Sequence, residues 1–152
     1  YSEVLNRDIE GYGEAIQIAA SYGVQLLFET HDDFSTSSAL LPLLEGIEGE
    51  AGVIWDILHP YRFGESMEYT CQTLLPNIRH VHIKDSAVYS KSGFDIALPG
   101  EGTVPVRQAV SLLKNAGYNQ YLCFEWEKHW HPEIQDADTA LPHFMEYMKE
   151  IL

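Results

Sequence analysis

Four residues that can bind a metal ion or transfer protons stand at the ends of separate apolar segments of this chain. Glu29, Asp56, His82 and Glu125 each lie at, or one step from, the C-terminal end of a short run rich in β-branched and aromatic residues. Carboxylate and imidazole groups serve as ligands of divalent cations and as general acids or bases. Because an unpaired charge is costly to bury, these four positions are the first candidates for a functional site.

The segments that carry them have the length and composition of β-strands and cover residues 24–29, 52–56, 78–83 and 121–125. Between the segments, helical spacing of apolar residues and stop signals predict helices over 5–22, 36–46, 64–75, 105–117 and 138–151. Alternating strands and helices indicate βαβ units and a parallel sheet. The stretch 85–103 is rich in Ser, Gly and Pro, so we expect an irregular loop that shapes a site.

The alternation of side chains along a strand places the four candidates on one face of the sheet. Their neighbours of opposite parity are large and apolar, namely Leu26, Phe28, Val53, Trp55, Val81, Ile83, Leu122 and Phe124. We expect these apolar residues to pack under helices, while the candidates converge at the carboxyl edge of the sheet, where α/β folds bind ligands. His80 shares the face of His82 and is interpreted as a core histidine.

Three carboxylates and one imidazole in a half-buried site repel one another and lose hydration, which costs several kcal/mol unless a cation compensates them. An oxygen-rich set with one nitrogen suits six-coordinate Mn²⁺, Mg²⁺ or Co²⁺ and leaves positions for substrate or water. Zinc favours more His or Cys ligands and is the less suitable ion. The sequence therefore predicts one divalent metal ion held by Glu29, Asp56, His82 and Glu125.

The composition is that of an acidic globular domain. The chain has 152 residues, with 9 basic and 23 acidic side chains, a net charge of −14 and 45% apolar residues. This length predicts a single domain over residues 1–152. The negative charge argues against nucleic acid or an anionic membrane as a partner, and no apolar run approaches the ~20 residues of a membrane span. We expect Cys71 and Cys123 to be buried thiols, which favours a cytoplasmic location.

Five sequence segments resemble the xylose isomerase-like (β/α)8 barrels, in the branch of sugar phosphate isomerases and epimerases. They are Phe28-Glu29-Thr30-His31, Trp55-Asp56-Ile57-Leu58-His59-Pro60, His80-Val81-His82-Ile83-Lys84-Asp85, Leu98-Pro99-Gly100-Glu101-Gly102 and Phe124-Glu125-Trp126-Glu127. The resemblance implies the same four metal ligands, with Glu29 and Glu125 also acting as the catalytic acid and base. It implies that His59 contacts a substrate oxygen.

The resemblance also indicates further substrate contacts and one departure. The Gly100-Glu101-Gly102 turn resembles the one that closes the site, so we assign Glu101 to substrate binding. Val88 stands where epimerases of this family often carry Arg. We assign a substrate-binding role to Lys84, while Arg107 and Lys128 are alternative sources of the positive charge.

A whole barrel of this kind takes ~250 residues, so the resemblance covers the C-terminal half. The expected fold is α/β, with four parallel strands each followed by a helix and one helix before them. Half a barrel leaves open edges, which predicts either completion by a missing N-terminal half or association of two copies as a homo-oligomer. The chain lacks an initiator Met, and we favour the interpretation that it is a fragment.

The function implied is metal-dependent isomerisation or epimerisation of a ketose, ketose phosphate or related polyol through an enediolate. The same site suits dehydration of a keto-inositol, because loss of a β-hydroxyl also begins from an enolate. An apurinic endonuclease-like phosphodiesterase needs a further Asp-x-His, where this chain has Asp95-Ile96-Ala97. A non-catalytic metal- or sugar-binding fragment is the remaining alternative.

Overall fold

A parallel sheet organises the chain, of which the computed structural model describes residues 2–152, with side chains from residue 9 onward. The elements in chain order are α1 (Ser2–Ser21), β1 (Leu27–Glu29), a 3₁₀ turn (Asp32–Phe34), α2 (Ser37–Gly46), β2 (Gly52–Asp56), α3 (Leu58–Arg62), α4 (Met67–Leu74), β3 (Ile78–Ile83), β4 (Tyr89–Ser90), β5 (Gly93–Phe94), α5 (Val106–Asn115), β6 (Tyr121–Phe124) and α6 (Ala137–Ile151). Within residues 2–152, no helix combines the length and apolar character needed to cross a membrane.

The main sheet has the order β1-β2-β3-β6, and each neighbouring pair is parallel. In the register of these pairs, Trp55 lies beside Val81 and His82 lies beside Cys123. A shift in the register between Val53 and Ile54 leaves Arg79 without a partner on β2. The parallel α/β arrangement expected from the sequence is therefore confirmed.

The core lies between the convex face of the sheet and the helices. Trp55, Val81 and Ile83 are fully buried, and they share one apolar cluster with Leu43 of α2 and Leu113 of α5. On β2 and β3, the side chains that face the helices are thus the ones that the sequence pattern predicted. On the outer strands β1 and β6, the corresponding residues are only partly buried, because each outer strand has a sheet neighbour on one side alone.

Two local elements differ from the expectation. Helix α3 had not been predicted, because it is a single short helix that contains Pro60. The stretch 85–103 is not wholly irregular, since β4 and β5 pair as an antiparallel hairpin there. The expectation that both cysteines are buried is wrong for Cys123, which lies exposed on the open concave face, whereas Cys71 is buried in α4.

Candidate metal and catalytic site

The structure brings Glu29, Asp56, His82 and Glu125 together at the carboxyl ends of four different strands. One ligand atom from each of the four residues lies within 4.8 Å of the others. Nδ1 of His82 lies 2.8 Å from Oε1 of Glu29 and 3.1 Å from Oε2 of Glu125. Side chains that are far apart in the sequence therefore form one compact cluster.

Two of the four residues come from opposite edges of the sheet. Glu29 is the last residue of β1 and Glu125 follows β6, and these are the two outermost strands. Three strand spacings of about 4.8 Å would place the ends of such strands roughly 14 Å apart in a flat sheet. Their carboxylates nevertheless contact the same nitrogen of His82.

The two oxygens of the Asp56 carboxylate make different contacts. Its Oδ1 accepts hydrogen bonds from the backbone N–H groups of Leu58 (2.8 Å) and His59 (3.4 Å), at the start of α3. Its Oδ2 faces the cluster, 3.0 Å from Nζ of Lys84. Thr30 fixes this strand end, because its hydroxyl donates to the Asp56 carbonyl and accepts from the Asp56 N–H, each at 3.0 Å. The carboxylate is fully buried, and this burial raises the pKa of Asp56 to about 7 against the opposing charge of Lys84.

The protonation of the cluster follows from its charges. Burial disfavours the charged ring of His82, but the adjacent carboxylates of Glu125 and Glu29 outweigh it and raise the pKa of His82 to about 10. Burial also acts against ionisation of Glu125, yet contacts with His82 and Lys84 hold its pKa well below the usual range. Without a metal ion, the protonated imidazole of His82 thus supplies part of the compensating positive charge.

Lys84 supplies the rest of that charge from a fully buried position. Its Nζ lies 3.0 Å from Oδ2 of Asp56, 2.8 Å from Oε2 of Glu125 and 2.5 Å from Oε1 of Glu127. Burial acts against the charge of Lys84, but Asp56 and the two glutamates raise its pKa above the usual range. Lys84 therefore lies behind the ligand cluster and contacts its carboxylates, while Glu127 had not been singled out from the sequence.

His59 lies beside the cluster with its proton position fixed. Nδ1 of His59 accepts a hydrogen bond from Nε of Arg62 at 3.0 Å. Nε2 is buried, has no hydrogen-bond partner among the described side chains, and lies 3.7 Å from Oδ2 of Asp56. Burial, followed by the charge of Lys84, lowers the pKa of His59 to about 3. The ring is thus neutral, with an N–H on the side that faces the cluster.

Asp85 anchors the loop that follows β3. Its carboxylate accepts hydrogen bonds from the backbone N–H groups of Ser86 (2.8 Å), Gly100 (2.8 Å), Gly102 (3.0 Å) and Val104 (3.1 Å). A Cβ at position 102 would collide with this carboxylate, so glycine is needed there for close approach. The Gly-Glu-Gly turn is therefore tied directly to the end of β3.

Not every candidate from the sequence lies at the cluster. Glu101 is exposed and lines a separate cavity with Arg107, His143 and Glu146. Lys128 contacts Asp136 and backbone carbonyls of its own loop. Of the three residues assigned to substrate binding, His59 and Lys84 adjoin the cluster and Glu101 does not.

The donor set passes a geometric test for one divalent cation. Donor atoms bound at about 2.0–2.6 Å to a single ion lie no more than about 5 Å apart, in agreement with the 4.8 Å limit of this cluster. Oδ2 of Asp56 and Oε2 of Glu125 are buried acceptors that contact Lys84 without forming an aligned hydrogen bond. A cation at the cluster would satisfy both oxygens.

Parallel strands with alternating helices and a polar cluster at the carboxyl strand ends define a protein of the (β/α) barrel class. The chain matches the family model described as "Xylose isomerase-like TIM barrel" over residues 1–151, and it belongs to this family. The resemblance read from the sequence is thereby confirmed. So is the fold class, a part of a (β/α)8 barrel.

Known relatives extend this assignment. The chain is 26% identical to an uncharacterized protein (MJ1311) of Methanocaldococcus jannaschii, over 97% of this chain and 50% of that protein. It is 28% identical to an inosose dehydratase of Yersinia enterocolitica, over 95% of this chain and 54% of the enzyme. A crystal structure of a D-tagatose 3-epimerase-like protein superposes with a TM-score of 0.76 and 24% identity, over 99% of this chain and 56% of that one. The chain thus spans about half the length of the curated relatives it matches.

Proposed function

We propose that the protein containing this chain is a divalent-metal-dependent isomerase or epimerase of a ketose, a ketose phosphate or a related polyol. The observation that carries the proposal is the placement of Glu29 and Glu125, from the two outermost strands, on either side of Nδ1 of His82. Two carboxylates that face one ligand position from different directions can exchange protons with opposite faces of a bound carbon.

The ligands of the ion would be Glu29, Asp56, His82 and Glu125, whose chemistry favours Mn²⁺, Mg²⁺ or Co²⁺ over Zn²⁺. When bound, the ion would acidify the C–H between a substrate carbonyl and hydroxyl and stabilise negative charge on their oxygens.

The side chains of the chain perform the remaining steps. One of Glu29 and Glu125 removes the proton from the carbon next to the carbonyl, and the other returns a proton to the resulting enediolate. His59 donates its Nε2–H to a substrate oxygen, since its other nitrogen is already engaged by Arg62. Lys84 contacts the carboxylates of Asp56 and Glu125 and holds both of them in place.

Proton exchange at the carbon next to the carbonyl tests the proposal. The complete protein is loaded with Mn²⁺ and screened in D₂O against ketoses, ketose phosphates and keto-inositols, with deuterium incorporation followed by NMR. Glu125→Gln should slow the exchange by about 10²–10⁴-fold, because an acid–base group is lost. Glu133→Gln removes an exposed glutamate of the following loop, outside the cluster, and should leave the rate unchanged. Normal exchange in Glu125→Gln would contradict the proposed roles.

Dehydration of a keto-inositol is the second candidate, and the inosose dehydratase relative favours it. The same proton abstraction next to the carbonyl would then be followed by loss of a β-hydroxyl, with the second glutamate protonating the leaving oxygen as water forms. The screen separates the two reactions. Epimerisation yields an isomer whose mass differs only by the incorporated deuterium, whereas dehydration yields an unsaturated ketone that has lost one water.

A further inference from the structure

A second group of metal-binding side chains lies further into the concave face of the sheet. His80 and His82 are alternate residues of β3, and Cys123 of β6 lies beside His82 in the strand register. One ligand atom from each of these three residues lies within 4.8 Å of the others. The rings of His80 and His82 are nearly perpendicular, with centroids 5.3 Å apart.

The donor atoms of this group differ in kind from those at the strand ends. Two imidazoles and a thiolate are softer ligands than carboxylates, and they favour zinc and the later first-row metals. The thiol of Cys123 is exposed and makes only a 3.8 Å contact with the Phe124 carbonyl, so it is accessible to an ion. The ring of His80 is partly exposed and packs edge-on against that of His82.

We propose that His80, His82 and Cys123 form a second, soft-metal site that binds Zn²⁺ or a similar ion. Nδ1 of His82 faces Glu29 and Glu125, so its other nitrogen, Nε2, serves the second ion. The three side chains fill three positions of a tetrahedron, and water takes the fourth. Binding displaces the thiol proton of Cys123 and any proton on the binding nitrogens, and these protons pass to solvent.

The sharing of His82 connects the two sites. The ion at the soft site takes electron density from the imidazole and lowers the basicity of Nδ1, which serves the carboxylate site. Occupancy of the soft site therefore weakens binding of Mn²⁺ at the strand ends. The soft site itself does not depend on the proposed reaction, because His80 and Cys123 take no part in that reaction and the ion is different.

Cobalt provides a direct test, because a Co²⁺–thiolate bond gives a charge-transfer absorption band in the near ultraviolet that a carboxylate site lacks. We expect the complete protein to develop this band on titration with Co²⁺. The band should be lost in Cys123→Ser and persist in Cys71→Ala, which removes the buried cysteine of α4. It should also persist in Glu125→Gln, which alters the carboxylate site alone.

His80→Gln provides a second variant that leaves the thiol in place. We expect this variant to bind Zn²⁺ more weakly, as measured by competition with a chelating dye. The loss should exceed the about 10- to 100-fold that is typical when a residue that only hydrogen-bonds to a metal ligand is removed. Absence of the band in the unmodified protein, or its persistence in Cys123→Ser, would overturn the proposal. The proposal would also be overturned if the band were lost in Glu125→Gln but not in the other variants. None of these readouts depends on turnover, so failure here is distinguishable from failure of the proposed function.

Discussion

Arg62 donates its Nε–H to Nδ1 of His59 across 3.0 Å, and this hydrogen bond determines which nitrogen of the ring carries the proton. A guanidinium cannot act as an acceptor, so Nδ1 must, and the remaining proton of the neutral ring is on Nε2. Arg62 is itself held by the backbone carbonyls of Ser90 and Lys91 in the β4–β5 hairpin. The hairpin thus supports a residue that orients the group next to the candidate metal.

Replacing Arg62 by Met should release the ring of His59 without removing it. We expect kcat of the complete protein to fall by about 10- to 100-fold, the usual effect of losing a partner that orients a site residue. Nitrogen NMR of labelled histidine should show a mixture of tautomers for His59 in place of the Nε2–H form. Arg79→Met is the matched control, since Arg79 binds backbone carbonyls of Pro76 and Ile78 at the other end of β3. An unchanged tautomer and rate in Arg62→Met would contradict the assigned role.

Lys84→Met should strongly destabilise the protein when no metal ion is present. The substitution leaves the buried carboxylates of Asp56 and Glu125 without their cation, and breaking a buried ion pair costs about 3–5 kcal/mol. Urea unfolding with a chelator measures the loss. Lys149→Met is the control, because its exposed pair with Glu146 is worth only about 0–1 kcal/mol.

Addition of Mn²⁺ should recover part of the stability lost in Lys84→Met. The ion would neutralise the same carboxylates that Lys84 contacts, so the gain in free energy of unfolding should be larger in Lys84→Met than in the parent. Equal gains in both proteins would argue that Lys84 and the ion do not share these carboxylates.

Asp85→Asn should loosen the loop that follows β3. The amide NH₂ of Asn cannot accept the hydrogen bonds that the N–H groups of Gly100 and Gly102 donate to Oδ2, and a hydrogen bond to a charged group contributes about 1.5–3 kcal/mol. Hydrogen exchange should show faster exchange of these two amides. Asp138→Asn, in the exposed first turn of α6, should cost less than about 1 kcal/mol and leave the loop amides unchanged.

The pKa of His82, raised to about 10, predicts how stability depends on pH when the metal ion has been removed. A group whose pKa is higher in the folded than in the unfolded state contributes stability that is fully present below the unfolded value and is lost as pH rises through the folded value. The difference in unfolding free energy between the parent and His82→Gln should therefore be largest below about pH 6.5 and shrink toward pH 10. Urea unfolding in chelator over this range measures it. His129→Gln, an exposed histidine, controls for loss of an imidazole.

The sequence was sufficient for the parts of the fold that depend on local pattern. The runs 52–56 and 78–83 became β2 and β3 without change, and alternation along them placed Asp56 and His82 opposite Trp55 and Val81. Asp56 and His82 could be located because the alternation of side chains along a strand and the end of the strand can both be read from the sequence. The metal-binding role of the cluster stays a prediction.

Other features depend on tertiary contacts that no local pattern contains. Arg62 contacts His59 because a short helix containing Pro60 forms, and this helix begins on the carboxylate of Asp56. Glu127 contacts Lys84 from beyond the end of β6, although it lies 43 positions further along the chain. Glu101 was placed at the site through its motif, whereas its exposed side chain lines a different cavity.

Under the proposed function, the contacts on both oxygens of the Asp56 carboxylate would link the identity of the ion to the choice of substrate. A larger or smaller ion would tilt the carboxylate plane, and the first backbone amides of α3 would follow Oδ1. His59 lies on that helix, so the direction of its Nε2–H would turn with the ionic radius. Exchanging Mg²⁺ for Mn²⁺ should consequently reorder which sugars are accepted, as well as how fast they react.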